Sequence, residues 1–331
     1  MMHRRSCLSV PLLALFGVTL ASKAEQAATT RPIKVGLLVA GFESNYAEVE
    51  RALLAGFREA GYVEGKNLLL ERRYGHLQPS QISQSAQELA GLGLDAIVTG
   101  CTGTTRAAQR ATATIPIVMA SVADPVGQGF VSSLARPGHN VTGRSSQSRV
   151  LIPKMLELFV AAAPSAKTIA VLANTLNPVH EPLWRDVLAA AQTVPVKLVR
   201  LDVDGPADLA HALAGIAGTH ADALFVLPDD PMFLNLRSRI VDAANALAMP
   251  SFFSASDFVE AGGLLSYGER FADTYGYAAP FVDKLARGAK AAELPIEQPT
   301  QFELVINLRT AAALGLTIPR SLLLRANTTL K

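Results

Sequence analysis

From Ile33 onward, short β-branched runs alternate with Ala- and Leu-rich stretches, and this alternation constrains the fold more than any other property of the chain. Brief apolar runs bounded by turn residues read as strands, and longer stretches of period 3.6 read as helices. Where the two alternate, the strands lie parallel and the helices cover both faces of the sheet. Strands are expected over 33–39, 67–71, 96–98, 115–118, 168–172, 197–201, 223–226 and 251–253. Helices are expected over 47–60, 81–92, 104–111, 153–162, 183–193, 206–216 and 234–247. Ile33-Lys34-Val35-Gly36-Leu37-Leu38 and Lys167-Thr168-Ile169-Ala170-Val171-Leu172 each open such a series. The sequence therefore predicts an α/β chain of two Rossmann-like lobes, each a parallel sheet with helices on both faces.

The stretch from Asp124 to Ser146 is rich in Gly, Pro, Ser and Asn and sustains neither period, so it reads as a crossing between lobes. Residues 262–268 read as a strand returning toward the first lobe, 272–287 as a helix, and the tail around 302–306 as a further crossing. The expected division is a leader over 1–24, a first lobe of 25–147 plus about 264–295, and a second of 148–263 plus about 296–331. A chain of 331 residues, half of them apolar, has enough material for two cores.

The leader has Arg4 and Arg5, an apolar run from Leu8 to Ala21, and Ser22-Lys23-Ala24 before a possible cut at Glu25, the pattern of a secretory signal peptide. The run is shorter than a span of the roughly 30 Å hydrocarbon core requires, and Pro11 interrupts it. Paired arginines also suit twin-arginine export, so the route is open. Loss of 1–24 removes Arg4, Arg5 and Lys23 and no acid, which takes the formal charge from +2 to −1. No basic cluster is left to track phosphates, which argues against a nucleic-acid partner. The mature chain keeps Cys101 alone, so no internal disulfide is expected. The expected location is the periplasm, as a monomer.

In open α/β sheets, ligands bind beyond the carboxyl ends of strands. That rule selects Phe42, Ser44 and Asn45, with Tyr46, after the first strand, and Thr99, Gly100, Cys101 and Thr102, with Thr104, after the third. It selects Ser121 and Asp124 after the fourth, then Asn174, Asp229 and Ser254 in the second half, with Tyr267 near the later crossing. Gly and Thr at a helix start suit a ligand carboxylate, or they simply cap the helix. Asp124 and Asp229 suit an ammonium group, or they form a turn and cap a helix. Phe42 and Tyr267 offer rings to stack on a ligand, or they pack locally; Trp184, inside a helix, reads as packing.

Motifs for chemistry are absent. There is no Gly-x-Ser-x-Gly, no His-Glu-x-x-His and no phosphate loop. Gly91-x-Gly93-x-x-Ala96 precedes a strand instead of following one, and the six histidines lack metal-ligand spacing, so no cofactor or metal is expected. Cys101 at a helix start would have a lowered pKa and leaves a racemase- or lyase-like alternative open, although no second cysteine faces it.

Several segments together resemble one family. They are Glu59-Ala60-Gly61-Tyr62-Val63-Glu64-Gly65-Lys66-Asn67, Ile115-Pro116-Ile117-Val118, Asp124-Pro125-Val126-Gly127, Arg136-Pro137-Gly138-His139-Asn140-Val141-Thr142-Gly143 and Phe302-Glu303-Leu304-Val305-Ile306-Asn307-Leu308. In this order they resemble the ABC-transporter substrate-binding proteins of the tryptophan or aromatic amino acid type. The resemblance implies a type I periplasmic-binding-protein fold whose lobes close on a small-molecule ligand, an inner-membrane ABC permease as partner, and no catalysis. The implied ligand is a small amino acid or related organic acid, aromatic ones included. The sequence departs from the family pattern at Phe42-Glu43-Ser44-Asn45 and at Thr99–Thr104, where ligand choice would be made. A ligand-sensing receptor domain shares the fold and remains an alternative.

Overall fold

The computed structural model describes residues 31–331; the signal-peptide reading falls outside the described residues. The first series comprises β1 (Ile33–Val39), α1 (Ala47–Glu59), β2 (Leu68–Tyr74), α2 (Pro79–Ala90), β3 (Ala96–Thr99), α3 (Thr102–Ala111), β4 (Ile117–Val122) and β5 (Val141–Ser145). Its five strands form a wholly parallel sheet in the order β2-β1-β3-β4-β5. The second series runs α4 (Ser148–Ala162), β6 (Thr168–Asn174), α5 (His180–Ala191), β7 (Lys197–Val203), α6 (Leu209–Gly215), β8 (Ala223–Val226), α7 (Pro231–Asn235), α8 (Arg237–Ala246), β9 (Ser251–Phe253), α9 (Ser256–Glu260) and β10 (Leu265–Gly268). Then follow α10 (Phe271–Gly276), α11 (Ala278–Ala286), β11 (Glu303–Asn307), α12 (Leu308–Ala313), α13 (Arg320–Leu323) and β12 (Thr328–Leu330).

The second sheet has the order β12-β11-β10-β9-β8-β6-β7. Its last five strands, read from β7, repeat the arrangement of the first sheet, which is the doubly wound order with its switch point between the first and third strands. Two strands extend it. β11 pairs antiparallel to β10, so this sheet is mixed and not parallel throughout as expected. The reason is connectivity: the helices between β10 and β11 pack on the first lobe, so β11 comes back by a long crossing and no helix on the second sheet carries the chain round to run parallel.

β10 also departs from expectation. It pairs with β9 and β11 in the second sheet instead of returning to the first. Leu264 and Leu265 are fully buried there in the core of the second lobe. The return is made by α10 and α11, whose Tyr275, Ala279 and Val282 pack with Leu37, Phe57 and Val98 of the first lobe. α1 offers Val49, Leu53 and Phe57 at four-residue spacing to the same core. Leu38, Ile97 and Met119 fill the opposite face beneath α2 and α3. In the second lobe, Phe159, Phe225 and Phe252 cluster on one face, and Leu172, Val226 and Phe253 lie on the other.

Three segments therefore pass between the lobes: the β5–α4 link, the β10–α10 link and the stretch between α11 and β11. They are tied to one another. The Glu297 backbone carbonyl of the third accepts from the Ser145 amide at 2.9 Å, and the Gln147 side chain donates to the Pro299 carbonyl at 2.9 Å. Arg149 reaches from α4 to Asp124 at 3.3 Å and to Asp186 of α5 at 2.6 Å. Among the described residues, no helix is long and apolar enough to cross a membrane.

Candidate functional site

The carboxyl ends of both sheets face a cavity of about 110 Å³ between the lobes. Gly100, Cys101, Thr102 and Ser121 line it from the first lobe, Asp229 and Ser254 from the second. The crossings, with the first residue of α4, complete it with Ser146, Ser148, Glu269 and Phe302. Phe233, Phe253, Phe258 and Phe271 supply most of its apolar wall.

Cys101 is the N-cap of α3, and its thiol receives the backbone amides of Gly103 and Thr104. Burial pushes that thiol up from its usual pKa, which corrects the expectation of a lowered one and keeps it protonated. A nucleophilic role loses its basis, because the thiolate is the reactive form. The capping reading of this loop holds for the most part, and the Thr102 amide and hydroxyl remain for a ligand. Thr99 faces away, with its hydroxyl 2.7 Å from that of Thr105 inside the lobe. A Cβ at Gly100 would overlap the Tyr275 ring and hydroxyl, so glycine is required for α10 to lie over this loop.

The two acids after β8 have different duties. Asp230 caps α7, its Oδ1 accepting from Met232 N at 2.8 Å and Phe233 N at 3.1 Å. Its Oδ2 accepts from Asn174 Nδ2 and Asn177 Nδ2, both at 2.9 Å. Asn174 thus holds Asp230 and does not line the cavity. His180 braces the same loop: Nδ1 accepts from the Asn174 amide at 2.7 Å, and Nε2 donates to the Pro228 carbonyl at 3.1 Å. Burial lowers its pKa, which favours the neutral ring this arrangement needs.

Asp229, by contrast, has its side chain largely uncommitted. It sits at φ 62°, a left-handed conformation that Asp tolerates, and accepts from the Ser146 hydroxyl at 3.1 Å, with the Ser148 hydroxyl also turned to it. No Lys or Arg among the described residues pairs with it, and burial pushes its carboxyl above the usual range. Glu269, on the β10–α10 link, is also pushed up by burial and is opposed by Arg144 at 3.2 Å. Arg144 lies 4.0 Å from the Tyr277 ring, and its Nη1 is buried without a hydrogen-bond partner among the described residues.

Five further expectations move out of the cavity. Asp124 turns its Oδ1 to the Gly127 amide at 3.0 Å and its Oδ2 to Arg149, so it is a turn former and ion-pair partner. Phe42 is solvent-exposed beside His76, with ring centroids 5.6 Å apart. Ser44 is exposed in a short 3₁₀ turn (Glu43–Asn45), and Asn45 bonds across the lobes to Asn235. Tyr267 packs against Phe302 at 6.0 Å, which leaves Phe302 as the ring that reaches the cavity. Of the cavity-lining residues missed, Ser146 and Glu269 lie on crossings and Ser148 opens α4 at the end of one. Their one sequence signal was position in the crossing segments, where strand-end reasoning does not look.

The family model described as "ABC transporter substrate binding protein" matches residues 36–330. A tyrosine-binding protein of Clostridioides difficile is 27% identical over 271 residues, covering 81% of this chain and 77% of the relative. A Streptococcus pneumoniae ABC domain solved in complex with L-Trp is 25% identical with a TM-score of 0.84, covering 90% of this chain and 100% of that one. A conserved domain protein of Vibrio cholerae is 31% identical with a TM-score of 0.85 over the same shares. The match spans nearly every described residue, both sheets and all three crossings; this chain belongs to the ABC transporter substrate-binding proteins, a family of solute-binding proteins and not of enzymes.

Proposed function

We propose that the chain is the periplasmic receptor of an ABC importer and that it captures an α-amino acid, with aromatic ones first in line, between its closing lobes. The observation that carries this reading is Asp229: a half-buried aspartate on the cavity wall whose carboxylate meets the Ser146 and Ser148 hydroxyls and no cation among the described residues, which an ammonium group would complete. Ser121, Ser254 and the Thr102 amide and hydroxyl supply donors for the carboxylate, and the phenylalanine wall receives the side chain. The tyrosine-binding relative and the L-Trp complex support an aromatic ligand. At about 110 Å³ the cavity is smaller than the roughly 150 Å³ that receives benzene. Holding a ring therefore takes side-chain rotation in the phenylalanine wall, with the lobes closed as here. The closed receptor is handed, as a monomer, to an inner-membrane permease.

Thermal-shift titration with L-tryptophan, L-tyrosine, L-phenylalanine and L-alanine tests this reading, with the N-acetyl derivative of the best binder as control. At 100 times the dissociation constant a binder adds about 2.7 kcal/mol of stability. An aromatic amino acid is expected to raise the melting temperature and its N-acetyl form to leave it unchanged. If the N-acetyl form binds equally, or a sugar binds and no amino acid does, the assignment to Asp229 is wrong.

A further inference from the structure

Asn235, the last residue of α7, lies outside the cavity, yet its side chain makes more polar contacts across the lobes than any ligand-facing group described above. Its Oδ1 accepts from the Phe42 amide at 3.3 Å and from Asn45 Nδ2 at 2.9 Å, both in the loop after β1. Its Nδ2 donates to the Tyr46 hydroxyl at 3.4 Å and, within its own lobe, to the Pro231 carbonyl at 2.7 Å. The Phe42 amide can only donate and the Pro231 carbonyl can only accept, so the orientation of the Asn235 amide is fixed from both ends. Its backbone carbonyl takes a further bond from Asn45 Nδ2 at 3.3 Å. Opposite it, Gly41 is buried with its face against the Asn235 amide, and a Cβ there would collide with Asn235 Oδ1, Nδ2 and Cγ.

We infer that Asn235 is a latch at the mouth of the cleft, a positioning residue that sets ligand affinity by stabilising the closed form without touching the ligand. The inference rests on the reading that the lobes close by hinge motion. A group that acts only on closure changes the closed fraction, and apparent affinity scales with that fraction for every ligand alike. Gly41 belongs to the same device: its missing side chain is the seat that Asn235 occupies.

Four chains test this: wild type, Asn235→Ala, Gly41→Ala and the double variant. Small-angle scattering without ligand and calorimetric titration with L-tryptophan, L-tyrosine and L-phenylalanine give the readouts. Asn235→Ala is expected to enlarge the ligand-free radius of gyration and weaken each binder by one common factor, about tenfold. Gly41→Ala is expected to have the larger effect alone and almost none when added to Asn235→Ala, because the collision needs the asparagine. Unchanged radii with unchanged affinities overturn the latch, as do a factor that differs among ligands and effects that simply add in the double variant. If none of the three amino acids binds the wild type, the ligand reading above fails, and the radii still decide the latch.

Discussion

Two neighbouring aspartates show how far residue type falls short of role. Asp229 and Asp230 follow the same strand, and the sequence favoured the first for an ammonium group, with helix capping as its alternative. The structure gives capping to Asp230 and leaves Asp229 uncommitted in the cavity wall. The assignment follows from the left-handed turn at Asp229, which aims the two side chains apart and which no residue-type pattern encodes. Burial raises the Asp229 pKa above its unfolded value. Its contribution to stability is then fully present below the unfolded value and lost as pH rises through the raised folded value. Asp230 and Glu269 add negative charge nearby, so the free chain carries this strain at neutral pH. Asp229→Asn is expected to keep or raise the ligand-free melting temperature at pH 7. The same change should weaken amino-acid binding by roughly ten- to hundredfold, the loss of a sheltered charge-assisted contact of about 1.5–3 kcal/mol. In the wild type, affinity should fall as pH is lowered through the raised Asp229 value. Paired melting and titration series from pH 4 to 8 would check both signs.

Elements with a clean period were legible, and elements bent for a purpose were not. β1, β8 and β9 fall where the sequence places them, because each is a buried β-branched or aromatic run between turns. The expected helix over 234–247 is instead two, with α7 ending at Asn235 and α8 starting at Arg237. Apolar residues continue through the break, so periodicity does not register it, yet the break is what turns Asn235 toward the other lobe. β5 was absorbed into the crossing stretch because Gly143 interrupts its pattern. That glycine has φ 118° and lies against the Met119 backbone, where β4 and β5 shift register two residues later. A side chain there meets backbone that has nowhere to yield. Gly143→Ala is expected to cost about 4 kcal/mol, at the upper end for one substitution. Urea denaturation of the two chains would measure it.

At the scale of the molecule, two lobes and three crossings were anticipated, and which lobe each late segment serves was only partly so. A strand such as β10 names its type but not its sheet, since pairing depends on the partners that reach it first. The outcome leaves neither lobe contiguous. Tyr275, Phe281 and Val282 enter the first core from far along the chain. At about 1.5–3 kcal/mol for each large apolar side chain, their absence removes an amount comparable to the whole stability of a small domain. A fragment of residues 31–147 is therefore expected to lack a cooperative thermal transition and to gain one when a polypeptide of residues 264–299 is supplied in trans. Circular dichroism with and without the added segment would show it.

The same interleaving orders events on the ribosome. Synthesis delivers the first sheet early, but α10 and α11, which cover one of its faces, emerge only after most of the second lobe has been made. A nascent chain of this topology therefore stays without a finished core until nearly its full length exists.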